Sequence, residues 1–162
     1  SVNISAKDLY YMNIYQVFLS LIARYQINPK NLKLEITESA IAMDFDRHLE
    51  LIGKLRSIGF VVEMDDFGSG YSSLNMLKNI PFDILKIDME FLRSKSNLER
   101  SYSILSSIIQ LSKNLNMPVI TEGVETGEQV KMLKKMGTDY YQGFYFDKPM
   151  TIEEFEAKYI HK

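Results

Sequence analysis

The chain has 162 residues, with 19 Lys plus Arg against 21 Asp plus Glu and a formal net charge of −2. A globular chain of this length removes roughly 68–70% of its unfolded surface from water, and 46% apolar with 25% charged residues argues against disorder. The near-neutral balance excludes a basic surface for gripping nucleic acid, no apolar run reaches the ~20 residues of a membrane span, and no secretory leader is recognisable.

The predicted elements alternate between two textures. A strand over Val2–Ser5 precedes a helix over residues 7–25, where Leu9, Tyr10, Ile14, Val17, Phe18, Leu21 and Ile22 recur at three- and four-residue intervals. Asn28-Pro29 breaks the pattern before a second strand, Leu32–Thr37. A helix over 45–57 follows, carried by Leu49, Ile52 and Leu55 and stopped by Gly59. The third strand is Phe60–Asp65; a glycine-containing turn leads to a short helix near Tyr71–Leu77, and Pro81 precedes the fourth strand, Ile84–Asp88. Residues 98–115 form a helix on Ile104, Leu105, Ile108, Ile109 and Leu115, and Pro118 separates it from the fifth strand, Val119–Glu122. A helix over 127–136, a sixth strand over Tyr140–Phe144 and a helix over 152–160 complete the series. No linker-like stretch longer than a turn interrupts it, so one domain over 1–162 is expected.

Strands alternating with helices imply a parallel sheet covered by helices. A complete barrel needs eight units and typically about 250 residues. The expected fold class is therefore α/β, a (β/α)8 TIM-barrel-like fold, incomplete here with about six βα units and the first two units missing.

Each predicted strand ends in polar groups: Asn3, Glu35, Asp65 with Asp66, Lys86 with Asp88, Glu122 with Glu125, and Gln142. In a barrel the C-terminal strand ends share one rim, where active sites are built, whereas an open doubly wound sheet would spread them along an edge. With no cysteine and only His48 and His161, any metal site relies mostly on oxygen ligands, which suit hard cations such as Mg²⁺ or Mn²⁺. Two adjacent aspartates both reach such a site only where the chain is leaving the sheet, because successive strand residues point to opposite faces.

Plainer readings stand beside these. An Asp-Asp turn alone is most often a solvated loop or a helix cap, and Glu35 and Glu38 read equally as an edge-strand position and a capping residue. Lys86, inside the apolar Ile84–Asp88 run, needs a partner if buried. Glu63 alternates with Asp65, shares its face, and reads as a structural pairing. His48, among charged neighbours, reads as surface, as does the Lys134-Lys135 pair. Met64, Met76, Met89, Met132 and Met136 fall on apolar faces and read as core.

The strings Val2-Asn3-Ile4-Ser5, Glu35-Ile36-Thr37-Glu38-Ser39, Asp65-Asp66-Phe67-Gly68-Ser69-Gly70-Tyr71-Ser72-Ser73-Leu74, Leu85-Lys86-Ile87-Asp88, Glu122-Gly123-Val124-Glu125-Thr126 and Gln142-Gly143-Phe144 together resemble the C-terminal two-thirds of an EAL domain, the bacterial cyclic di-GMP phosphodiesterase module. The resemblance implies hydrolysis of cyclic di-GMP to linear pGpG with two Mg²⁺ or Mn²⁺ ions. It implies Asn3, Glu35 and Asp65 as ligands of the first metal, with Asp65 bridging to a second that Asp66 also binds. It implies Glu122 as second-metal ligand or general base, and Lys86 as the contact to the attacking water or phosphate. Asp88, Glu125 and Gln142 match supporting positions, and Glu38 matches the glutamate that anchors the loop following Asp65. Thr121 and Ser69 stand where the family favours Ala and Thr, and neither change is expected to matter. The Glu-Ala-Leu signature is not in this sequence, so this stretch alone is expected to be inactive or severely impaired. Self-association or homodimerisation, a cytoplasmic location and an upstream GGDEF, PAS or receiver domain are further expectations. The alternatives are a non-catalytic cyclic di-GMP-binding or protein-interaction EAL module, or an unrelated Mg²⁺-dependent barrel enzyme.

Overall fold

Short β-branched and aromatic runs pair into one parallel sheet in this computed structural model, which describes residues 1–68, 74–79, 81–89 and 98–160. The strands are β1 (Val2–Ile4), β2 (Lys33–Thr37), β3 (Val61–Asp65), β4 (Ile84–Asp88), β5 (Val119–Glu122) and β6 (Tyr140–Tyr141), and they lie side by side in chain order. All five pairings are parallel. Sequential parallel pairing without a reversal of order is the curl of a barrel and has no switch point, which removes the doubly wound alternative. Among the described residues β6 does not pair back to β1, so the barrel is partial.

The helices are α1 (Ala6–Tyr11), α2 (Ile14–Tyr25), α3 (Glu38–Ala42), α4 (Phe45–Ser57), α5 (Leu74–Asn79), α6 (Leu98–Asn114), α7 (Gly127–Met136) and α8 (Ile152–Phe155), the last running into a π turn over Glu156–Ile160. The helix expected over 7–25 is thus two. Asn13 breaks it: its side chain accepts the Gln16 N–H at 3.3 Å and restarts the chain as α2. Tyr10 is exposed to solvent, whereas Leu9 and Ile14 are buried. The sixth strand is shorter than expected. The chain leaves it at Gln142, and Gly143 presses so close to Val124 that a Cβ there would meet its carbonyl oxygen at 2.2 Å.

Alternation sorts the strand residues onto two faces. Leu34, Ile36, Val62, Met64, Leu85, Ile87 and Val119 point outward into a core with Ile52 and Leu55 of α4, Leu105 and Ile109 of α6 and Leu133 of α7. All of them are almost wholly buried, each side chain stabilising the fold by about 1.5–3 kcal/mol. His48 belongs to this packing. It is buried, with Nδ1 3.2 Å from the Ile41 carbonyl oxygen, and it joins α4 to α3. The surface reading of His48 is therefore corrected: it falls one turn before Ile52 on the inward face of α4. Met64, Met76 and Met89 are core as expected, Met132 and Met136 pack on its edge, and Lys134 and Lys135 are exposed.

Two aspartates close the N-terminal end of the sheet in the same way. Asp83, just before β4, accepts the Val62 N–H at 2.9 Å and a two-pronged contact from Arg56, and Asp139, just before β6, accepts the Val119 N–H at 2.9 Å. Each satisfies a strand amide that the ladder leaves over.

Candidate active site

The other face of the sheet, which is the barrel interior, carries charge. Register places Asn3 beside Glu35, Glu35 beside Glu63, and Asp88 beside Glu122. Lys86 is the centre of the arrangement. Its Nζ lies 2.7 Å from Glu35 Oε2, 3.1 Å from Asp65 Oδ1 and 3.1 Å from Glu122 Oε1, and its side chain is 3% exposed. Three carboxylates from three strands thus meet one ammonium, leaving a local surplus of negative charge.

The titration of the cluster follows from that crowding. For Lys86, burial opposes the charged form, but the Glu35 hydrogen bond and the Glu122 and Asp65 carboxylates outweigh it and hold the ammonium far above the ordinary lysine range. For Glu35, burial likewise opposes ionisation, yet the hydrogen bonds from Lys86 and Ser1 bring its pKa down. Glu122 goes the other way: burial dominates, Lys86 offsets only part of it, and Asp65 and Glu35 add repulsion. Asp66 is pushed up by burial first, then by Asp65 and Asp88. One site therefore holds carboxyls displaced in opposite directions, Glu35 downward and Glu122 and Asp66 upward.

The turn that aims the Asp65-Asp66 pair has a visible cause. Asp66 takes a left-handed backbone (φ 54°) as the chain leaves β3, its N–H donating to Asp65 Oδ1 at 3.0 Å. Phe67 is buried, and its N–H reaches the Lys86 carbonyl at 3.2 Å. Glu38, buried at the start of α3, accepts the Gly68 N–H at 3.3 Å, which ties the same loop to the end of β2. Residues 69–73 of that string lie outside the described residues.

The structure thus brings together Glu35, Asp65, Lys86 and Glu122, with Asp66 and Asp88 in electrostatic reach. Asn3 is in register with Glu35 but exposed on the edge strand. Glu125 and Gln142 are exposed near the ends of β5 and β6, where they take part through backbone bonds: the Glu125 N–H to Gln129 and the Gln142 N–H to Thr121. Thr121 faces the helices and reaches the Thr138 hydroxyl at 3.3 Å, away from the charged face. Glu63 has the pairing expected of it, an ion pair with Lys33 at 3.0 Å. Lys33 escaped the sequence reading because its partner is set by cross-strand register, although its two-residue spacing from Glu35 was legible. His161 lies outside the described residues.

A family model described as the EAL domain matches residues 1–149. The chain belongs to the EAL domain family. A relative, the bifunctional diguanylate cyclase/cyclic di-GMP phosphodiesterase MucR of Pseudomonas aeruginosa, is 35% identical over 157 residues, covering 97% of this chain and 23% of that protein. Among solved structures, the PaMucR phosphodiesterase in complex with c-di-GMP superimposes with a TM-score of 0.88 at 35% identity, over 95% of this chain and 68% of that one. The manganese/cyclic di-GMP complex of Klebsiella pneumoniae BlrP1 does so with a TM-score of 0.82 at 30% identity, over 91% and 38%. The chain spans about a fifth to a quarter of the curated relatives it matches. These likenesses establish the α/β barrel type that the partial sheet displays.

The donor set fits a hard divalent cation: oxygen ligands only, gathered on one face with more negative than positive charge. Among the described residues no three Asp, Glu or His side chains form a ready-made cage, and the Lys86 ammonium holds the centre instead. No described helix is long and apolar enough to cross a membrane.

Proposed function

We propose that this chain is part of a cyclic di-GMP phosphodiesterase that hydrolyses one phosphodiester bond to give linear pGpG. The observation that carries the reading is the convergence of Glu35, Asp65 and Glu122 on Lys86, each carboxylate within 3.1 Å of one nitrogen. Family membership supplies the substrate class, and the cyclic di-GMP complexes of similar proteins agree with it.

Asn3, Glu35, Asp65 and Asp66, with Glu122 as second-metal ligand or general base, would hold two Mg²⁺ or Mn²⁺ ions, which when bound neutralise the attacking and leaving oxygens and acidify the attacking water. In the residues' own chemistry, Glu122 accepts the water proton as the water oxygen bonds to phosphorus. The ester P–O bond breaks, and the departing alkoxide takes up a proton from solvent, to which Glu122 returns the one it accepted. Burial and the neighbouring carboxylates raise the Glu122 pKa, which makes it a stronger proton acceptor than an ordinary glutamate. Lys86 stays charged throughout and offsets the negative charge that grows on the phosphoryl oxygens. Asp88, next to Glu122 in register, Glu125 and Gln142 support the rim, and Glu38 holds the loop that carries Asp66.

The catalytic unit in this reading is the closed barrel, of which these six strands are part. Cyclic di-GMP turnover with Mn²⁺, measured on the full-length protein and on its Asp65→Asn variant, tests the enzymatic reading. A loss on the order of 10²–10³-fold is expected. Retained turnover in the variant, or none in the wild type, overturns it.

A further inference from the structure

Below the Lys86 cluster the interior face holds a second pair of opposite charges that the proposed reaction does not use. Glu63 sits beside Glu35 by register and two residues before Asp65, on the same face as both. Its side chain is 1% exposed. A carboxylate buried next to two others is costly unless a cation answers it. Lys33, two residues before Glu35 on the same face, is that cation, 3.0 Å away and 41% exposed. The contact is an ion pair rather than a well-directed hydrogen bond, since Glu63 Oε1 has no hydrogen-bond partner of good geometry.

We infer that the Lys33–Glu63 pair is a positioning and charge-setting device for the proposed metal cluster: Glu63 adds negative potential beneath Glu35 and Asp65, and Lys33 cancels it. The inference rests on the metal reading given above. Its physical basis is distance. Adjacent strands lie about 4.8 Å apart and two residues along a strand span about 6.6 Å, so both charges lie within a Debye length of an ion at Glu35 and Asp65, the buried Glu63 less screened than the part-exposed Lys33. Removing one member uncovers the other. Lys33→Met leaves Glu63 uncompensated and strengthens binding of a divalent cation, whereas Glu63→Gln leaves Lys33 uncompensated and weakens it. A pair that serves packing alone predicts loss of stability in both variants and no opposed shift in affinity.

The test is Mn²⁺ affinity of the full-length protein, read by the electron paramagnetic resonance of free Mn²⁺ without substrate. Five proteins are compared: wild type, Lys33→Met, Glu63→Gln, the double variant and Lys33→Arg. The dissociation constant is expected to fall in Lys33→Met and rise in Glu63→Gln, each on the order of tenfold. The double variant and Lys33→Arg are expected to return near wild type. Equal affinity in all five, or shifts of the same sign in the two single variants, overturns the inference while leaving the metal reading standing. Absence of Mn²⁺ binding in every protein overturns both. Should Lys33→Met not fold, the weakened binding of Glu63→Gln against unchanged Lys33→Arg decides.

Discussion

The two faces of the sheet both hold buried side chains and are differently built. Outward, Leu34, Ile36, Val62, Met64, Leu85 and Ile87 are each no more than 1% exposed and pack on helices. Inward, on alternate positions of the same strands, Glu35, Glu63, Asp65 and Lys86 are also buried, at 8% exposure or less. The apolar face is stable residue by residue, because each side chain gains by leaving water. The charged face is tolerable only as a set, because each buried charge is costly without its partners. Such a set adds little stability of its own, which agrees with the proposal that the site lies on this face.

Breaking the hub should show the difference most strongly. Lys86→Met is expected to cost about 3–5 kcal/mol in denaturant unfolding, since it leaves Glu35, Asp65 and Glu122 facing one another. That loss should be largest at neutral pH and shrink in acid as the carboxylates take up protons. Leu85→Ala, one residue away on the other face, is expected to cost about 2–5 kcal/mol. Its cost should not depend on pH, and an equal pH dependence for both variants would dissolve the contrast.

Smaller effects sharpen the same comparison. Arg56→Ala removes the two-pronged contact to Asp83 at the far end of the sheet and should cost about 1–3 kcal/mol with no effect on metal binding. Glu122→Gln should slightly raise the melting temperature at neutral pH while lowering activity. Burial raises the Glu122 pKa in the folded state, so its ionisation penalises folding above that raised pKa, and the penalty disappears below the ordinary glutamate value near pH 4.5. The gain in melting temperature should vanish in that acid range, and a gain that persists there would contradict the assignment.

Much of this contrast was legible in the sequence. Runs such as Ile84–Asp88 declared strands, and polar residues at their ends declared a rim, because period-two alternation and strand ends are local properties. The Lys86 hub was half legible: a lysine within an apolar run demanded partners, and only the curl of the sheet named them. His48 was misread because its charged neighbours Asp46, Arg47 and Glu50 masked its spacing from Ile52 and Leu55. The split between α1 and α2 hid in a single capping asparagine within an otherwise periodic stretch. The Lys33–Glu63 pair depends on which residues of β2 and β3 stand opposite, and register of that kind arises only when distant segments meet.

The central claim is that the interior face gathers oxygen donors for a divalent cation. A crystal of the full-length protein grown with Mn²⁺ tests it directly through anomalous scattering. The account predicts a Mn²⁺ peak within about 2.0–2.6 Å of carboxylate oxygens of Glu35 and Asp65. A cluster without a peak at saturating Mn²⁺, or a peak found only at surface carboxylates, would contradict it.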